Sequence, residues 1–184
     1  MREKKIEQED VQRLRAAWLS DDRYDPKISM NVDFRRALAA INDALSAGKN
    51  EEAVRICEEQ YATYCMLTTW NSRCRRAYTA LGKTEEAEPF RRAFAGIGAS
   101  VMSSGDGKSP ETAYVVMDLL EQDMVQQLKG LQKSGQLLME KDGHRFDVIT
   151  AIDTKTGNEV TLYFNVDSMF ESYNRGRVKD VPPK

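Results

Sequence analysis

Gly48-Lys49-Asn50-Glu51-Glu52-Ala53 returns 34 positions later as Gly82-Lys83-Thr84-Glu85-Glu86-Ala87, with five of six positions unchanged. Each copy follows a run containing Ala-Leu. Glycine ends a helix by taking the left-handed conformation at little steric cost. Asn50 or Thr84 is then expected to cap the next helix, where two glutamates meet the positive end of the dipole. Ala53 and Ala87 are small enough to let two helices approach closely.

Working outward, residues 32 to 103 read as four helices. Their faces are Phe34, Ala37, Leu38, Ile41, Ala44 and Leu45 on the first, and Ala53, Ile56, Cys57, Tyr61 and Tyr64 on the second. The third carries Trp70, Cys74, Ala77, Tyr78 and Leu81, and the fourth Ala87, Phe90, Phe94 and Ile97. All recur at i, i+3, i+4, i+7. Paired helices at this period match the tetratricopeptide spacing, in which hairpins bury their apolar faces only by stacking on neighbours. Two repeats are visible, so other parts of the chain are expected to supply the caps. One is an N-terminal helix with Ile6, Val11, Leu14, Ala17 and Trp18 on one stripe.

Ser104-Gly-Asp-Gly-Lys-Ser-Pro-Glu111 breaks the composition and marks a junction. Beyond it the period changes. Residues 112–117 are β-prone, 119–131 read as a short helix, and 136–139, 144–152 and 159–166 read as strands. Asp142-Gly143 and Thr156-Gly157 mark the turns. The expected fold class is α+β: tetratricopeptide-like antiparallel helical hairpins, then a small antiparallel sheet with one helix. The expected division is a helical region at 1–103, an α+β module at 104–170 and a flexible tail at 171–184.

With 27 basic against 29 acidic residues the net charge is −2. That balance argues against a nucleic-acid partner. No apolar run approaches the ~20 residues of a membrane span. The first ten residues lack the apolar core of a signal peptide. The expected location is therefore cytoplasmic as the sequence stands, or periplasmic or exported if a leader has been removed.

Three stretches together resemble a bacterial family known only as a domain of unknown function, whose members often carry an export leader. They are residues 104–116 (Ser-Gly-Asp-Gly-Lys-Ser-Pro-Glu-Thr-Ala-Tyr-Val-Val), Asp142-Gly143-His144-Arg145-Phe146-Asp147-Val148, and Tyr163-Phe164-Asn165-Val166-Asp167. The resemblance spans roughly residues 30 to 170 and implies no activity and no catalytic residue. No such leader is expected from the charged start of this sequence, which is where it departs from the resemblance.

Chemistry-bearing residues are few. Gly105-Asp-Gly-Lys-Ser109 lacks the glycine a phosphate loop needs at position 102, which is Met, and reads as a linker. His144, the only histidine, would have to carry any relay of a hydrolase; beside Asp142 and Asp147 it reads as a turn residue. Asp153-Thr-Lys-Thr-Gly157 reads as a hairpin turn and not a calcium loop. No metal or other cofactor is expected, and no enzymatic activity. Cys57 and Cys74 fall at similar heights on facing helices, as small core residues or as a disulfide; core packing is the favoured reading, with Cys65 at the turn.

A polar face remains on the helical half. Thr69, Ser72 and Arg76 point away from the apolar stripe of the third helix, with Arg35 and Asn42 as counterparts one repeat earlier. Arginine among small polar residues can grip a carboxylate. The plainer reading is a solvated face whose arginines pair with local glutamates. The functional expectation is a non-catalytic binding or scaffolding module for a protein or peptide. The alternative is an inhibitor or immunity protein that neutralises a cognate toxin or enzyme. Nothing in the sequence sets the oligomeric state.

Overall fold

The computed structural model describes residues 8–21 and 24–171. Of the expected tail at 171–184, Glu171 is helical and the rest, like Ile6 of the first helix, lies outside the described residues. The fold is α+β, with the helices preceding the sheet. Two compact units divide it: α1 (Gln8–Leu19) with residues 28–99, and residues 24–27 with 100–171. The division falls within one helix, between Ala99 and Ser100.

The first unit holds α2 (Val32–Ser46), α3 (Asn50–Glu59), the single turn α4 (Tyr61–Tyr64), α5 (Thr68–Ala80) and α6 (Thr84–Met102), whose last three residues belong to the second unit. Asn31 starts α2 by accepting from the backbone N–H groups of Asp33 and Phe34 at 2.9 and 3.1 Å. The two Gly-Lys turns are built alike. Gly48 and Gly82 sit at φ +70° and +72°. Lys49 N donates to Ala44 O at 2.8 Å, and Lys83 N to Tyr78 O at 3.0 Å. These bonds satisfy the last carbonyls of α2 and α5. They also leave one residue between glycine and the next helix. The cap of α3 therefore falls on Lys49, whose carbonyl accepts from Ala53 N at 3.1 Å. Asn50 becomes the first helical residue and makes no side-chain cap.

Ala53 and Ala87 are buried. Phe34, Tyr64 and Trp70 form an aromatic chain, with ring centroids 5.1 and 4.9 Å apart, and Tyr78 stacks on Phe90 at 5.3 Å. A Cβ on Gly96 of α6 would come within 2.8 Å of a Val11 methyl, so α1 lies against α6. The second helix of the first hairpin breaks at Gln60 (φ −108°, ψ 5°), where the sequence periodicity gives an unbroken run to Cys65.

Cys57 of α3 and Cys74 of α5 are bonded, with Cα atoms 5.7 Å apart. The preference for unbonded core packing is thereby corrected. Matched heights put both Cβ atoms within bonding reach, and both residues are fully buried as well.

The second unit is a four-stranded sheet in the order β1-β4-β3-β2. Its members are β1 (Tyr114–Val115), β2 (Leu131–Lys141), β3 (His144–Asp153) and β4 (Glu159–Asn165); α7 (Leu119–Lys129) links β1 to β2. β2, β3 and β4 form the expected antiparallel meander. β1 pairs with β4 in parallel, Tyr114 opposite Phe164, so the sheet is mixed. The helix α7 that follows β1 crosses to β2 at the far edge, a connection that lets β1 run parallel to β4. Asp118 caps α7, and Gly130 closes it at φ +68°. Asp147, opposite Leu138 and Phe164, is buried under α7; its Oδ2 accepts from Gln122 and Gln136, each at 2.8 Å.

Candidate functional site

Twelve helical positions from Thr69 to Ala80 decide how α5 divides its surface. Trp70, Cys74, Ala77 and Tyr78 are buried and fix one face. Ser72, Arg75, Arg76 and Thr79 stand at i, i+3, i+4 and i+7 on the other. With Ala80 they line a cavity of about 370 Å³. Two expected residues, Ser72 and Arg76, thus come together. Thr69 is half-buried one turn earlier, and Arg35 is exposed on α2. Neither lines the cavity. Asn42 is engaged elsewhere: its Oδ1 accepts from Arg73 Nε at 2.8 Å, tying α2 to α5. Arg75 was missing from the expected set. Its signal was present in the spacing, since 72, 75, 76 and 79 complete one stripe.

The plainer reading, arginines held by local acids, fits other arginines. Arg55 pairs with Glu59 at 2.6 Å, Arg91 with Glu88 at 2.6 Å and Arg36 with Asp33 at 3.4 Å. Such pairs are at the three- and four-residue spacing that suits a helix surface. Among the described residues, Arg75 and Arg76 make no ion pair or hydrogen bond. Both side chains stand on the exposed face of α5. On the inner face Tyr78 is pushed up to about 12, by burial first and then by donating to Glu58 Oε1 at 2.9 Å. It remains a neutral donor.

His144 finds its partner 23 residues away. Its Nδ1 lies 2.6 Å from Asp167 Oδ2, not against Asp142 or Asp147. Asp167 Oδ1 accepts from Arg145 N at 2.8 Å, and Asn165 Nδ2 donates to Oδ2 at 3.1 Å. Burial raises this carboxyl, but the backbone N–H of Arg145, the His144 ring and Asn165 outweigh it and hold it low. The contact ties the start of β3 to the residues just past the end of β4. Among the described residues no hydroxyl or thiol hydrogen-bonds to the ring.

The 104–113 loop closes on itself. Asp106 N and Gly107 N both donate to Thr112 O, at 3.0 and 2.8 Å; Thr112 Oγ1 donates to Asp106 Oδ1 at 2.6 Å. These N–H groups are spent inside the loop and not presented to a phosphate. Gly107 O accepts from Tyr163 N at 2.9 Å, which fastens the loop to β4. Asp153 Oδ1 caps its own turn through Lys155 N and Thr156 N, at 2.8 and 3.1 Å. Among the described residues no group of three His, Cys, Asp or Glu is placed to hold a metal, and no helix is long and apolar enough to cross a membrane.

A family model described as a domain of unknown function (DUF4919) matches residues 3–175. No curated protein and no solved structure matches the chain.

Proposed function

The chain belongs to the family described as a domain of unknown function (DUF4919), which hands down no named activity, and from that premise we propose that it is a non-catalytic binding module. The partner is a protein or peptide that presents a carboxylate or acidic side chain to the outer stripe of α5. The observation that supports this reading is the pair Arg75 and Arg76, without acid partners among the described residues, lining a cavity with Ser72 and Thr79. Guanidinium groups recognise carboxylates through paired hydrogen bonds, and the two hydroxyls add adaptable donors. The module works in an oxidising compartment, a placement supported by the buried Cys57–Cys74 bond.

The test is a set of acidic and basic peptides of equal length, titrated against the wild-type chain and an Arg75→Ala/Arg76→Ala variant. Acidic peptides are expected to bind and to lose about tenfold or more in the variant, as removal of a charged hydrogen bond worth about 1.5–3 kcal/mol requires. Equal affinity of the variant, or selection of basic peptides, overturns the reading.

A further inference from the structure

The sheet ends on β2, an eleven-residue strand with β3 on one side and no strand on the other among the described residues. A long free edge offers its outward N–H and C=O groups to another strand, and proteins ordinarily blunt such edges with charge or bulges. Here the blunting is confined to the ends. Lys133 and a register shift before Gly135 guard one end, and Glu140 and Lys141 the other. Between them Gln136-Leu137-Leu138-Met139 carries no charge. Leu137 is 57 % exposed and Leu138 55 %, and consecutive residues of a strand face opposite sides of the sheet. Apolar surface is therefore presented on both faces of the edge.

We propose that this edge pairs with β2 of a second copy of the chain, antiparallel, about a two-fold axis through Leu138. The register follows from the chain itself. The regular stretch of β2 runs from Gly135, opposite Thr150, to Lys141, opposite His144. Leu138 is its midpoint. A two-fold axis perpendicular to a sheet keeps each face on the same side, so only residues of equal parity meet. With the axis at Leu138, Leu138 meets its own copy and Leu137 meets Met139 of the second copy, once on either side of the axis. Gln136 stands opposite Glu140 of the second copy. Lys133 Nζ donates to Gln136 Oε1, which sets an ammonium group beside that glutamate. Lys141 falls opposite Gly135, where there is no side chain to oppose it. Moving the axis to Leu137 sets Lys133 against Lys141 of the second copy and draws the bulge into the ladder. Moving it to Met139 sets Leu138 against Glu140. Apolar matching and charge complementarity select the Leu138 axis.

Residues facing each other across an antiparallel pair have Cα atoms about 4.5–5.5 Å apart. Two like charges at the axis therefore repel at contact distance. Sedimentation of the full chain from low to high micromolar concentration is expected to show a dimer. Leu138→Lys alone and Leu138→Glu alone are expected to be monomers with unchanged circular dichroism. Mixing the two is expected to restore the dimer. Independently of any variant, amide exchange along residues 135–141 of the wild type is expected to slow as concentration rises. A wild type that is monomeric throughout, a Leu138→Lys chain that stays dimeric, or exchange independent of concentration overturns the proposal. So does a monomer that takes an extended peptide of another sequence along β2.

Discussion

Gly107 stands at φ +71°, and a Cβ there would lie 2.5 Å from the Tyr114 ring, itself buried. Gly143 has a similar φ, +80°, with nothing within 4 Å of its missing Cβ. Both alanine variants incur the left-handed penalty of about 1–2 kcal/mol, but only Gly107→Ala adds a clash with a ring that cannot retreat. Urea denaturation is expected to show the larger loss for Gly107→Ala; equal losses would mean the ring yields. One residue earlier, Asp106 is held down to about 2, chiefly by Thr112 Oγ1 and then by Lys108 N. A depressed carboxyl stabilises fully above its ordinary value of 3.8 and loses that contribution as pH falls through about 2. The difference in urea midpoint between wild type and Asp106→Asn is therefore expected to be constant above pH ~4 and to narrow toward pH ~2. A difference that ignores pH would assign the loop's closure to the backbone bonds alone. Composition alone marked this loop as a junction. Its self-closure joins one threonine to one aspartate and to two backbone N–H groups, which no periodicity records.

Among the elements, the helices were legible because each buries one stripe, and apolar spacing reports burial directly. The recurring Gly-Lys turn was legible too, since a positive φ is something residue type announces. The break at Gln60 was not, nor the parallel entry of β1, which depends on register with a strand some fifty residues away. The α5 stripe was half legible: Ser72 and Arg76 follow from the inward face, whereas Asn42 was lost to Arg73, a tertiary contact between two helices. Ala53 and Ala87 now have their expected burial. Ala53→Leu and Ala87→Leu each insert methylenes where helices meet, and each is expected to lower stability by about 1–3 kcal/mol. Unchanged melting midpoints would show that the crossings have slack.

At the scale of the whole molecule the acidic balance and the single internal bond bear on where the protein works. Of three cysteines, Cys57 and Cys74 are joined and Cys65 is not part of the bond. Protein taken from its native host under thiol-blocking conditions is expected to give the Cys57–Cys74 peptide by mass spectrometry, with Cys65 outside it. Recovery of all three as alkylated thiols would place the chain in a reducing compartment. The bond also runs from the second helix of one hairpin to the first helix of the next. Pulled from its ends, the oxidised chain cannot pay out the 17-residue separation between the two sulfurs. At roughly 3.5 Å per residue, that withholds about 60 Å of contour length. Tension alone would not release it, but a reductant would, so the same fold has two lengths at full extension, set by the redox state around it.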